Sequence, residues 1–550
     1  MCITSLFLIG MWISCGQNQE EPAQKQVFRM NLAEGLSTLD PAFARSKAPI
    51  WMTAQLFNGL IRLDSDLHIQ PSLAKMWEIS EDGRLYTFHL RTDVPFHKHP
   101  AFGPNLTRNV VAEDVVYSYH RICNPAIAST GKWIFSGKID GLEAYENREV
   151  DHIRGFRVVN DSTFQLRLTT SFPPLLGLLA MPYGYIVPKE VVEEYGDDFR
   201  AHPVGTGPFQ FYRWEEGNHL ILHRHPDYFE QENGQSLPYL DAVSVRFSPS
   251  RLSAFIEFVQ GNLDFIGDLD PSYKDEILSR DGQIKDAYVD RFQFVLAPQL
   301  NTEYLGFQTD TSLELVNKHP LADVRIRKAI NYAIDRPKLV RYLLNGMGYP
   351  AESGFVPNGM PGFDESAVPG FTYDPVKSAA LLAEAGFPQG DNLPELVLNS
   401  TQKYAAISEF IQKSLENVGI KIQIQNLQGG ALRKEIYGVR VNFWRASWIA
   451  DYPDSENYLS LFYSGNHAPG GPNTTHFSSP AFDSLYTRAL SLTDDQLRQN
   501  LYHQMDRLML EEAPIVPLYY DRSIRILQKG ISGLGSNPMN HLFLARVQKQ

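Results

Sequence analysis

Cysteine is scarce in this sequence, at three residues in 550. Cys2 and Cys15 fall at the very start, so Cys123 stands alone in the body and an internal disulfide there is excluded. A lone thiol in Ile122-Cys123-Asn124 reads as a small core residue. Positive charge is also short. With 50 Lys and Arg against 63 Asp and Glu, the net charge of −13 leaves no basic stripe to neutralise phosphates, which argues against nucleic acid. Beyond the leader no stretch approaches the roughly 18 apolar residues of a membrane helix. The HExxH and GxSxG patterns are absent, so neither a zincin nor a nucleophile elbow has support. His97 and His99, and His219, His223 and His225, have spacings that suit zinc. However, Leu220 to His225 alternates, which places His223 and His225 on one face of a strand, read as its polar face. No carboxylate is placed to complete a ligand set. No metal or cofactor is therefore expected. Internal repeats are missing too, which excludes a solenoid.

What is present is globular: 43% hydrophobic and 21% charged residues, in a chain long enough for two or three domains. The 26 Tyr and 32 Phe suit cores and a roomy ligand cavity. Residues 3–14 form an apolar run too short to span a membrane, which reads as the core of a signal peptide over 1–14. The run ends in Ile13-Ser14-Cys15-Gly16, followed by polar residues to position 26. Small residues around a cysteine after such a core resemble the lipobox of bacterial lipoproteins. That resemblance implies export and a lipid anchor on Cys15, with 15–26 as a tether.

The body opens on an alternating strand from Val27, then a Glu34-to-Pro41 loop and a helix from Ala48 to about Leu60. Trp77-Glu-Ile-Ser80 and Leu85-Tyr-Thr-Phe-His-Leu90 alternate on either side of Glu81-Asp82-Gly83, which predicts a hairpin. Val110 to Arg121 reads as an amphipathic helix. In Val204-Gly-Thr-Gly-Pro208 the glycines suggest that two strands cross closely. No Lys-Ser/Thr and no helix follow them, so a phosphate cradle is unsupported. Leu321 to Ile334 has apolar residues at helical spacing, Asp323 near its start and Arg/Lys on what reads as a solvated face. Leu382-Ala-Glu-Ala-Gly386 ends a helix at a capping glycine.

Taken in order, these blocks resemble the extracellular solute-binding proteins of peptide ABC importers. Trp77 to Arg91, Phe96-His97 and Ala112 to Ser118 resemble that family's signature region, and Pro203 to Phe211 its glycine-rich return segment. Leu321 to Arg336, Tyr373-Asp-Pro375, Leu381 to Phe387 and Ala513 to Tyr519 continue the resemblance almost to the end. It implies an α/β, two-lobed, periplasmic-binding-protein-like clamshell of type II with an additional domain. Lobe I would comprise 27–62, 186–297 and 516–550. The additional domain II would be 63–185, and lobe III 298–515. It also implies partners: a peptide ligand, and the permease and ATPase subunits of an importer, for a monomeric protein of the cell envelope with no enzymatic role.

One stretch draws these expectations together: Arg445-Ala-Ser-Trp-Ile-Ala-Asp-Tyr-Pro-Asp-Ser-Glu-Asn457. It follows Val439 to Phe443, which reads as a strand, so its charges sit near a strand's mouth. By themselves these residues also suit a surface ion pair beside a core tryptophan. The resemblance implies more. Trp448-Ile-Ala-Asp451-Tyr452 matches the block in which the family's Asp grips a ligand ammonium. Arg445, six positions earlier, matches an Arg that meets the ligand carboxylate in the oligopeptide branch. Main-chain groups around Gly35-Leu36-Ser37 and Ala446-Ser447-Trp448-Ile449 would meet the ligand backbone as an added strand. Trp448 reads as a pocket wall or as plain core. His476, in Asn473-Thr-Thr-His-Phe477, reads as a structural residue or a ligand contact. Asp454, a possible substitute for Asp451, and Glu456 are left to solvent. The alternatives are the same fold carrying nickel, haem or an oligosaccharide, or a peptide receptor for signalling.

Overall fold

The computed structural model describes residues 25–270 and 272–550, so Cys15 and the leader lie outside the described residues. An eleven-stranded sheet runs through the molecule. Its strands in chain order are β1 (Val27–Asn31), β2 (Phe209–Glu215), β3 (His219–Arg224), β4 (Ala242–Arg246), β5 (Phe265–Ile266), β6 (Phe292–Phe307), β7 (Leu396–Ser400), β8 (Ile422–Asn426), β9 (Phe443–Ile449) and β10 (Ile515–Gln528). Gly348–Pro350 joins β10 at the side. The spatial order is β8-β7-β9-β6-β10-β5-β1-β4-β3-β2. Early strands thus build one half and late strands the other.

The long antiparallel pair β6 and β10, of 16 and 14 residues, belongs to both halves. Phe292 pairs with Gln528 at one end and Gly306 with Ile515 at the other. Register slips between Pro298 and Thr302, where a proline has no N–H to give the ladder. In the late half, helix Val324–Ala333 and its neighbours cover the sheet, burying Leu305, Phe307, Leu398, Ile422 and Phe443. Asp323 caps that helix by accepting from the Arg325 N–H.

A separate four-stranded sheet orders Ala74–Ile79, Leu85–Leu90, Thr163–Arg167 and Phe156–Asn160. The first two strands are the expected hairpin, and Gly83 at its turn has φ +66°. Helix Ala112–Cys123 packs on this sheet, its Tyr119 ring lying 5.6 Å from Phe156 and 5.8 Å from Phe164. Cys123 is fully buried beside it, and burial pushes its thiol pKa up.

Four expectations are corrected. The strand expected at Val439–Phe443 lies later, at Phe443–Ile449. Val439 follows helix Gly429–Tyr437 in a left-handed turn at φ +55°, and Val441 packs into a small cluster with Leu432, Ile436 and Trp444. Gly205 and Gly207 do not let two strands cross. They lie against the end of helix Lys47–Leu56, where a Cβ on Gly205 would be 2.1 Å from the Leu56 carbonyl oxygen. Arg327 is not on a solvated face: it is buried and donates to the carbonyls of Leu321 at 2.8 Å and Glu512 at 2.7 Å. His225 is buried rather than polar-facing. It and His97 meet edge to face at 4.6 Å, and each has a ring nitrogen on the Gly207 carbonyl, at 3.1 and 3.0 Å. Burial takes His97 down to about 3, so the imidazole is neutral, and its two ring nitrogens meet the Gly205 N–H and the Gly207 carbonyl.

Candidate ligand-binding site

Strand β9 pairs antiparallel with β6, setting Leu305 opposite Arg445, Glu303 opposite Ser447, Thr302 opposite Trp448 and Asn301 opposite Ile449. On its other side β7 meets it only at Asn399–Trp444. The Ala446–Ile449 edge is therefore bare among the described strands, with alternate N–H and C=O groups pointing outward. Such an edge accepts an extended chain as a further strand. Ser447 is exposed on it, and Ile449 is 59% exposed.

Side chains alternate along a strand, so Arg445, Ser447 and Ile449 share one face and Trp448 takes the other. Trp448 is half-buried and packs on the main core. Its indole N–H donates to Asn457 Oδ1 at 2.9 Å, and Tyr458 donates to its carbonyl at 3.4 Å. The tryptophan is fixed in position, with part of one flank left open.

Arg445 is 9% exposed and already engaged. Its guanidinium pairs with Glu303 and lies 3.2 Å from the centre of the Tyr404 ring. Burial lifts Glu303 to about 7; Arg445 opposes the rise and the nearby Asp521 adds to it. Asn301 donates to both carboxylates. A ligand carboxylate would have to compete with Glu303 for this arginine.

Asp451 has the opposite situation. Its carboxyl reaches solvent yet is crowded by protein on most sides, and this desolvation raises its pKa against the pull of the Asn457 amide. No cation stands within ion-pair distance of it among the described residues. Its loop is held firmly from behind. Asp451 N donates to Asn457 Oδ1 at 3.4 Å, and Ala450 N to the Leu300 carbonyl at 2.9 Å. Tyr452 is buried, 6.5 Å ring to ring from Trp133, and a Cβ on Gly177 would come within 3.3 Å of it. A carboxyl with no cation opposite it among the described residues is thus presented beside a contact between late-chain Tyr452 and early-chain Trp133 and Gly177.

Asp454 and Glu456, expected in solvent, are both buried. Glu456 accepts from the hydroxyls of Tyr452 and Tyr486, while Asp454 lies 3.4 Å from Arg498 and accepts from the Glu456 N–H at 2.9 Å. The turn needs internal acceptors because its backbone and tyrosines are buried. Sequence spacing alone did not distinguish these carboxylates from Asp451. Asn457, which braces both Trp448 and Asp451, and Glu303, which holds Arg445, carried no sequence signal of their own.

On the early side, Gly35 turns the chain after β1 at φ +72°, donating to the Leu32 carbonyl at 3.1 Å. Leu36 is half-buried and Ser37 exposed. His476 is tied into its own loop: Nε2 is 2.9 Å from the Ala468 carbonyl, and the ring stacks on His467 at 4.7 Å. Asp64, Asp66 and His68 bring ligand-type atoms together at a turn. There Asp64 already accepts the backbone N–H groups of Asp66 and His68 at 2.9 Å each.

The profile of "Bacterial extracellular solute-binding proteins, family 5 Middle" matches residues 68–470. The chain belongs to this family. Its members are solute-binding components of transporters rather than enzymes. Among the relatives of this family-5 protein, heme-binding protein A of Haemophilus influenzae is 26% identical over 497 residues, covering 88% of this chain and 85% of that one. The dipeptide-binding protein of Escherichia coli K12 is 26% identical over 494 residues, covering 88% and 87%. The unliganded open form of MppA, a periplasmic murein tripeptide binding protein, superposes with a TM-score of 0.80 at 23% identity. It covers 96% of this chain and 98% of its own. The mixed α/β architecture is that of the periplasmic solute-binding fold.

Proposed function

We propose that this family-5 solute-binding protein captures peptides between two closing lobes and delivers them to the permease of an ABC importer. Asp451 carries the reading: a carboxylate without a cation, beside the bare Ala446–Ile449 edge, is what a peptide's ammonium and backbone require. Trp448 walls a side-chain pocket, and Gly35 and Leu36 meet the ligand from the facing lobe. The dipeptide-binding relative supports a peptide cargo.

In this reading the two lobes are 27–62, 186–297 and 516–550 against 298–515, with 63–185 as the added domain. The register slip at Pro298 supports a hinge at that boundary. Transport energy comes from a separate ATPase, and the protein itself makes no covalent change in its cargo. A lipid on Cys15 holds the exported protein at the membrane; Cys15→Ser releases it to the soluble fraction, and unchanged membrane association refutes the anchor. The haem-binding relative favours a second reading, with a non-peptide cargo in the same cleft. Mass spectrometry of ligands co-purifying with the protein separates the two. Peptides are expected, and recovery of haem, metal or sugar without peptides overturns the proposal.

A further inference from the structure

We infer that Arg45, on the early lobe, is the partner of the ligand carboxylate, and that the groove beside it houses the ligand's anionic portion. The inference rests on the peptide reading above and assigns the ammonium and the carboxylate to opposite lobes.

Asp451 offers a carboxylate with no cation, but Arg445 does not offer a free guanidinium, since Glu303 and Tyr404 hold it on both sides. A zwitterionic ligand anchored at Asp451 therefore needs its cation elsewhere. A groove of about 850 Å³ opens on the early side, lined by Ser37, Thr38, Arg45 and Thr130 among others. That volume falls in the usual range for a ligand site, about 300–1,000 Å³. Ser37 and Thr38 directly follow Gly35-Leu36, so the groove continues the wall assigned to the ligand backbone.

Three arginines line this groove. Arg121 binds Asp40 through both terminal nitrogens, one at 2.9 Å, and Arg200 pairs with Glu216 at 2.8 Å. Arg45 is exposed and has neither an ion pair nor a side-chain hydrogen bond among the described residues. It is a free guanidinium at the edge of a cavity. The Nε of the neighbouring Arg121 is buried without an acceptor.

A relay of contacts leads from Thr130, on the groove, towards Asp451. The Thr130 hydroxyl lies 3.4 Å from that of Tyr183. Trp133 packs on Tyr183 and on Tyr452, the neighbour of Asp451, at 6.5 Å in each case. The Tyr183 hydroxyl is raised mainly by burial, and both charges act on it as well: Asp451 raises its pKa and Arg45 lowers it. One phenol thus lies within electrostatic reach of the free anion and the free cation. A guanidinium suits a carboxylate through its paired N–H groups. Closing the lobes on a ligand that bridges Asp451 and Arg45 would place one charge of the ligand on each.

The test is calorimetric titration of matched peptides, with a free C-terminal carboxylate or a C-terminal amide, into wild type and Arg45→Gln. Arg45 is exposed, so the variant should fold, which an unchanged melting curve verifies. Amidation is expected to weaken wild-type binding roughly ten- to a hundredfold, the loss of one charge-assisted pair. Arg45→Gln should bind both forms alike, at the level of the amide on wild type. A variant that keeps the full amidation penalty overturns the inference, as does a wild type indifferent to amidation. An amidated peptide carrying Asp or Glu checks the source: Arg45→Gln should leave its binding unchanged, and a loss on that ligand alone would mean that Arg45 meets a side-chain carboxylate, which overturns its assignment to the C-terminus. Wild type that binds no peptide in either form refutes the peptide reading itself.

Discussion

Glu303→Gln should flatten part of the protein's stability profile between about pH 4.5 and 7. In the folded state burial lifts this carboxyl from an ordinary value near 4.5 to about 7, more than Arg445 can offset. The sign follows from proton counting. Between those values the folded protein keeps a proton that the unfolded chain has released, so rising pH favours unfolding. The contribution is complete below pH 4.5 and gone above pH 7, and the displacement corresponds to at most about 3 kcal/mol. Glutamine keeps the shape and an oxygen for Arg445 but cannot titrate. Denaturant unfolding of wild type and variant at pH 5 and pH 7.5 gives four stabilities, and their double difference isolates this group. It should approach, without exceeding, about 3 kcal/mol, with wild type losing more at the higher pH. Parallel pH profiles would mean that Glu303 ionises normally, and the buried pair with Arg445 would then need another description.

Two further substitutions address the packing behind the site. Glu456→Gln replaces one of the two oxygens that accept from Tyr452 and Tyr486 with an NH2 group that cannot accept, and should lower stability by about 1–3 kcal/mol in denaturant melts while peptide affinity of the folded protein stays near wild type. Gly205→Ala drives a methyl into the Leu56 carbonyl, where neither partner is a flexible side chain. It should cost about 1–3 kcal/mol by the same measurement, and a neutral result would remove the close approach.

Much of this fold could be read in the chain because its signals are local. The Glu81–Gly83 hairpin, the helix beginning after Asp323 and the glycine after helix Pro375–Glu384 each depend on neighbouring residues alone. Where the reading failed, the deciding partner was distant in sequence. Alternation placed a strand at Val439, but the position of β9 is set by pairing with β6, some 140 residues earlier. Arg327 looks like a solvent charge until carbonyls nearly two hundred residues away are brought against it. The same limit applies to the site. Asp451, Asp454 and Glu456 are equivalent by spacing, and only the buried tyrosines and Arg498 take two of the three out of solvent. Arg445 matches a ligand-binding pattern, yet Glu303, on the adjacent strand, decides what it faces. Arg45 stands in Ala44-Arg45-Ser46, a context that gives no hint of its freedom.

The account turns on Asp451 as the ammonium partner, and one measurement addresses it most directly: titration calorimetry of a co-purified peptide, free and N-acetylated, into wild type and Asp451→Asn. Wild type should prefer the free amine by about 2–5 kcal/mol, the usual consequence of removing one member of a buried charge pair. Asp451→Asn should lose that preference and bind both forms weakly. If the variant still discriminates between free and acetylated peptide as wild type does, the ammonium is held elsewhere and Asp451 is not the anchor.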